Sequence, residues 1–112
     1  MSKIVVLTFL LAFALSAWAH PASEIYAKYS AETKTLTVSF DHVVKSASDH
    51  YIEGIQVRLN GVTIISQVCS AQDTVNGGEF LYRIPNLKKG NTLEIILDCN
   101  KGGRKTTKMI LN

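Results

Sequence analysis

The chain has 112 residues, 46% hydrophobic and 19% charged, the balance of an ordinary globular protein with room for one domain and no second core. Its formal net charge is +3; the 12 Lys and Arg less Lys3, which lies in a segment expected to be removed, leave 11 basic side chains against 9 acidic ones. So small an excess excludes the dense basic footprint of a nucleic-acid binder.

The first element is a secretory signal. Lys3 precedes the apolar run Ile4 to Ala17, and Ala17-Trp18-Ala19 puts small residues at both positions that flank a signal-peptidase cut. The run is about 14 residues, short of the roughly 20 that span a bilayer as a helix. Residues 1–19 are therefore expected to leave, giving an exported protein, periplasmic or secreted, that spans no membrane and starts at His20.

Strands follow. Glu24 to Tyr29 leads through the polar turn Ser30 to Lys34 into Thr35 to Phe40, where Leu36, Val38 and Phe40 share one face at period two. Beyond the loop from His42 to His50, Ile55, Val57 and Leu59 alternate with polar residues, and Asn60-Gly61 runs straight into Val62 to Ile65 as a hairpin signal. Cys69 to Gly78 is polar and reads as a connection between two sheets. Phe80, Tyr82 and Ile84 alternate, Pro85 to Asn91 is a turn, Leu93, Ile95 and Leu97 alternate, and Asn100 to Gly103 turns into a last strand near Lys105 to Leu111. About seven short strands with no helical periodicity predict an all-β, immunoglobulin-like antiparallel sandwich over residues 20–112.

The chain has three histidines and two cysteines. A mature N-terminal His20 would offer an α-amine and an imidazole, a pair suited to copper, while Pro21 has no amide hydrogen to lose and cannot add a deprotonated amide ligand. His42 and His50 stand at the two ends of one loop. Each follows an aspartate, Asp41 or Asp49, a candidate to steady an imidazole from outside the ligand shell, but neighbours on a strand point to opposite faces, so at least one of the two contacts is expected to be missing. Cys69 and Cys99 have two readings. In an exported protein an even pair forms a disulfide, here closing a loop of about 31 residues with a stabilisation of roughly 3 to 4 kcal/mol; alternatively Cys99 is a thiolate metal ligand and Cys69 a bystander. No Ser/His/Asp arrangement, phosphate loop or Cys-x-x-Cys pair is present, which argues against hydrolase and nucleotide chemistry.

Asp49-His50-Tyr51-Ile52-Glu53-Gly54-Ile55, preceded by His42, and Cys99-Asn100-Lys101-Gly102-Gly103 resemble the iron-binding domain of the superoxide reductases, the desulfoferrodoxin and neelaredoxin family. The resemblance extends in order and spacing over most of residues 20–112. It implies an immunoglobulin-like sandwich holding one iron through four histidines and a cysteine thiolate, which reduces superoxide to hydrogen peroxide with electrons from a separate donor. Carried over by position, His50 and Cys99 match the family's histidine and cysteine motifs, His42 stands for the histidine of the preceding loop, and His20 for the first ligand. Gly102 occupies the place of the fourth histidine, and the family's Glu-Lys pair before the first histidine is absent.

The expected function is thus an exported mononuclear iron protein with His20, His42, His50 and Cys99 as its ligands. The competing expectations are a Cys69–Cys99-stapled sandwich acting as a non-catalytic binding module, and a copper protein that uses His20. Lys88, Lys89, Lys101, Arg104, Lys105 and Lys108 cluster in the C-terminal third, where such charges more often keep turns and edge strands soluble than draw an anion towards one end of the domain.

Overall fold

A computed structural model of the protein describes residues 20–112, so the expected signal segment lies outside the described residues. Seven strands follow in order: β1 (Glu24–Ser30), β2 (Thr35–Asp41), β3 (Ile52–Leu59), β4 (Val62–Val68), β5 (Gly77–Arg83), β6 (Thr92–Cys99) and β7 (Arg104–Ile110). They form two antiparallel sheets, β1-β2-β5 and β4-β3-β6-β7, the sandwich that the alternating sequence predicts. The segment after Cys69 crosses between the sheets, as expected, and the turn at Pro85 crosses back. Asn60 and Gly61 turn the β3–β4 hairpin with φ of 49° and 86°, the left-handed pair that such a tight turn requires.

The core follows from parity. In β2, Leu36, Val38 and Phe40 are buried and their neighbours are not; in β6, Leu93, Ile95 and Leu97 are fully buried. These rows meet Ile55 and Val57 of β3 and Ile25 of β1 to form one apolar cluster. Tyr82 of β5 fastens the two layers by donating to Gln67 Oε1 of β4 at 2.6 Å, while Tyr29 of β1 donates to the Ile84 carbonyl at the end of β5 at 2.7 Å.

The ladder between β3 and β6 is irregular at the start of β3. The pairing shifts register between Ile52 and Gly54, so Ile52 lies opposite Cys99 while Gly54 lies opposite Asp98. A bulge reverses the parity of the strand beyond it. Ile52 and Ile55, three residues apart, are therefore both buried, and the strand begins at Ile52, three residues earlier than its alternation suggests.

Candidate metal centre

The inward rows of β2 and β6 do not stop at the last aliphatic residue. His42 is the next inward position after Leu36, Val38 and Phe40, and it is 0% exposed. Cys99 is the next after Leu93, Ile95 and Leu97, and it is 3% exposed. Two strands thus carry a donor atom each to the same pole of the sandwich by continuing an ordinary β alternation.

The loop from His42 to Ile52 brings His50 to the same place. Its backbone turns through bonds from the Asp49 and His50 amides to the Ser46 carbonyl, at 3.3 and 3.0 Å. Asn100 then clamps the loop from below: its Oδ1 accepts from the Tyr51 amide at 2.9 Å, its Nδ2 donates to the Asp49 carbonyl at 3.0 Å, and its own amide donates to the Tyr51 carbonyl at 3.0 Å. The residue after Cys99 therefore fixes the residues on both sides of His50. The outcome is His50 Nε2 at 3.1 Å from Cys99 Sγ. The Lys101 amide also donates to that sulfur, at 3.4 Å.

His20 arrives from the segment ahead of β1, which the Ser23 amide ties to the Asp41 carbonyl at 2.8 Å. Gly103 makes room for it. A Cβ at Gly103 would lie 2.8 Å from the Pro21 nitrogen, and its φ of 98° is one that side chains rarely adopt. The turn carrying Cys99 thus packs directly on the His20-Pro21 peptide.

Three imidazoles converge. Their ring centroids are 4.8, 4.8 and 4.9 Å apart, and one nitrogen from each lies within 4.8 Å of the others. Ligands of a first-row metal with bonds of about 2.1 Å to nitrogen and 2.3 Å to sulfur sit about 3 to 4 Å from one another. The His50–Cys99 spacing falls in that range, and the imidazoles need to draw in by less than about 1 Å to reach it. The cluster can therefore hold a metal ion, with Cys99 joined to it through His50. Burial lowers the pKa of His50 from its ordinary 6.5, and neighbouring His42, His20 and Lys101 push the same way, against a smaller opposite pull from Asp49. A neutral imidazole is the form that binds a cation.

Several sequence expectations are corrected here. Asp41 and Asp49 do not bond the histidines that follow them: Asp41 accepts from Tyr26 at 2.9 Å and Asp49 faces Lys101 at 3.8 Å. The buried residue that touches His42 is Gln72, whose Oε1 is 2.8 Å from His42 Nδ1. It comes from the polar connection between β4 and β5, where nothing in the local pattern marks it.

The Cys69–Cys99 bridge is absent; both thiols are free. Cys69 follows β4 and Cys99 ends β6, on opposite sides of β3. Two strand spacings separate them by about 9 to 10 Å, beyond the roughly 7 Å that a disulfide spans between Cα atoms. Burial raises the Cys69 thiol pKa, with a further push from Asp73, which keeps it protonated and unreactive.

The basic residues do not gather at one end either. Lys101 and Arg104 lie at the imidazole pole, while Lys88 and Lys89 belong to the turn at the opposite pole, a strand length of about 20 Å away. Arg104 is held by Asp98 at 2.7 Å, and Lys108 faces Glu94 at 3.8 Å. Gly102, at the position of the family's fourth histidine, has φ 113°, so a histidine there would strain the backbone.

No protein-family model matches the chain, and a search of curated proteins finds no match.

Proposed function

We propose that the protein binds a single transition-metal ion at the pole formed by His20, His42, His50 and Cys99, and that the metal is iron used in superoxide reductase-type chemistry. The observation that carries the metal reading is the meeting of three imidazoles, with nitrogens within 4.8 Å of one another, beside a buried thiol. All three histidines of the chain meet at one pole, where a metal ion would give their neutral nitrogens a shared partner. The choice of iron comes from the resemblance of the two motifs, and from a mixed imidazole and thiolate set that suits it.

Each side chain has a defined task in this reading. His20, His42 and His50 supply neutral nitrogen ligands, and Cys99 supplies a thiolate whose charge the Lys101 amide offsets through its bond to sulfur. Asn100 keeps His50 and Cys99 in register. Gly102 leaves open the side on which a fourth imidazole would stand, so a small molecule has access there. Lys101, exposed at the rim, is the cation nearest His50 and attracts an anion such as superoxide. Bound ferrous iron would supply the one electron that, with two protons, turns superoxide into hydrogen peroxide, and a separate donor returns that electron.

Anaerobic titration of the apo-protein with ferrous iron tests the reading. One ion per chain is expected, with a visible thiolate-to-iron absorption on oxidation that is lost in Cys99→Ser, and with superoxide consumption that depends on the metal. A chain that takes up no ferrous iron overturns it. Copper is the second occupant that the donor set favours, since imidazole and thiolate both bind it and copper lies above iron in affinity order. Metal analysis of protein taken from its own compartment separates the two.

A further inference from the structure

Gln72 is 7% exposed and has every polar atom of its amide engaged. Its Oε1 lies 2.8 Å from His42 Nδ1 and accepts from the Ile52 amide at 3.2 Å, while its Nε2 donates to the His42 and Thr74 carbonyls, both at 2.8 Å. These partners settle which end of the amide is oxygen. The Ile52 amide can only donate and the two carbonyls can only accept, so the reversed amide would set donor against donor and oxygen against two oxygens. The atom facing His42 Nδ1 is therefore an acceptor, and Nδ1 carries the hydrogen.

We propose that Gln72 is the positioning residue of the centre: it locks His42 in the Nδ1–H tautomer and leaves the lone pair on Nε2, the nitrogen beside the His20 carbonyl, so that His42 binds metal through Nε2. A second observation points the same way. His42 Nε2 lies 3.2 Å from the His20 carbonyl oxygen. With the hydrogen on Nδ1, these are two acceptors facing each other across a buried gap, a repulsion that a cation on the cluster relieves. The same amide also fastens Ile52, two residues after His50, to the end of β2. One side chain thus sets the donor atom of one imidazole and the approach of another. The metal-binding half of this inference rests on the function proposed above; the tautomer does not.

The test is a two-bond proton–nitrogen correlation spectrum of the nitrogen-15-labelled apo-protein at about pH 8.5, some two units above the ordinary imidazole value. His42 is expected as Nδ1–H in the wild type. In Gln72→Met it is expected to switch to Nε2–H, donating to the His20 carbonyl, with ferrous affinity lowered about 10- to 100-fold. Gln72→Glu keeps an acceptor against Nδ1 and is expected to retain the tautomer; its second oxygen has to carry a proton to face the His42 and Thr74 carbonyls and can bond only one of them, so its affinity is expected between those of the wild type and Gln72→Met. Far-ultraviolet circular dichroism checks the fold of both variants. An Nε2–H wild type overturns the proposal even if neither variant folds, as does a Gln72→Met variant that stays Nδ1–H. A wild type that shows Nδ1–H but takes up no ferrous iron leaves the lock in place and removes the metal-binding role.

Discussion

The middle and the end of the same strands differ in chemistry while sharing one geometry. Leu36 and Leu97 in the middle of β2 and β6 are 0% exposed, and so, a few residues along the same inward rows, is His42, with Cys99 close to it at 3%. Burial is equal; partners are not. The leucines are satisfied by contact with other apolar atoms, whereas His42 needs Gln72 and Cys99 is met by His50 and the Lys101 amide. The midsection therefore sets stability, and the pole draws on that stability to hold polar groups in a dry, fixed arrangement.

This contrast can be broken from either side. Leu36→Ala removes a fully buried side chain from the midsection and should lower unfolding free energy by about 3 kcal/mol, with ferrous affinity of the remaining folded protein unchanged. Urea titration and metal titration on the same sample measure both. His42→Ala should cost less, about 1 to 3 kcal/mol, because it takes one of two partners from Gln72 Oε1, leaving the Ile52 amide, and opens a cavity, and it should also abolish tight metal binding. Equal stability losses without any loss of binding would contradict the division between middle and pole.

His50 and Cys69 sharpen it further. His50→Ala takes away a partly exposed imidazole and should change stability by no more than about 0.5 kcal/mol while weakening metal binding at least tenfold. The same histidine gives the apo-protein a pH dependence. Its folded pKa is below the ordinary 6.5, so the unfolded chain takes up its proton first as pH falls. His50 therefore contributes full stability above that ordinary value and loses it progressively below. Urea midpoints of the apo-protein should fall as pH drops from 7 towards 5, and less steeply in His50→Ala. Cys69→Ser marks the small end of the scale. Its thiol lies across β3 from Cys99, outside the group of donors, and the substitution should move stability by about 0.5 kcal/mol or less and leave metal binding intact.

Wherever a property follows from parity or from one turn, the sequence carries it. The alternation of Leu36, Val38 and Phe40, the Asn60-Gly61 turn and the polar crossing after Cys69 are local, and they specify the sandwich. His42 and Cys99 were readable for the same reason, each being the next inward position of an alternating strand. The rest depends on contacts between distant residues. Gln72 reaches His42 over 30 positions and Asn100 reaches Asp49 over 51, and no local pattern announces either. Strand parity already counted against the two aspartates, since neighbours in an extended chain point to opposite sides, and both turn to other partners, Tyr26 and Lys101. Chemical pairing of the cysteines misled because compartment and parity of number say nothing about which strands they occupy. The bulge at Ile52, which aligns Ile52 with Cys99, shows in sequence only as a break in alternation between Ile52 and Ile55.

X-ray absorption at the iron edge of the anaerobically loaded protein tests the central claim most directly. The account predicts one sulfur and a set of imidazole nitrogens around a single iron, with the sulfur lost in Cys99→Ser and an imidazole lost in His42→Ala. A first shell made only of oxygen and nitrogen donors in the wild type, unchanged by either substitution, would contradict it.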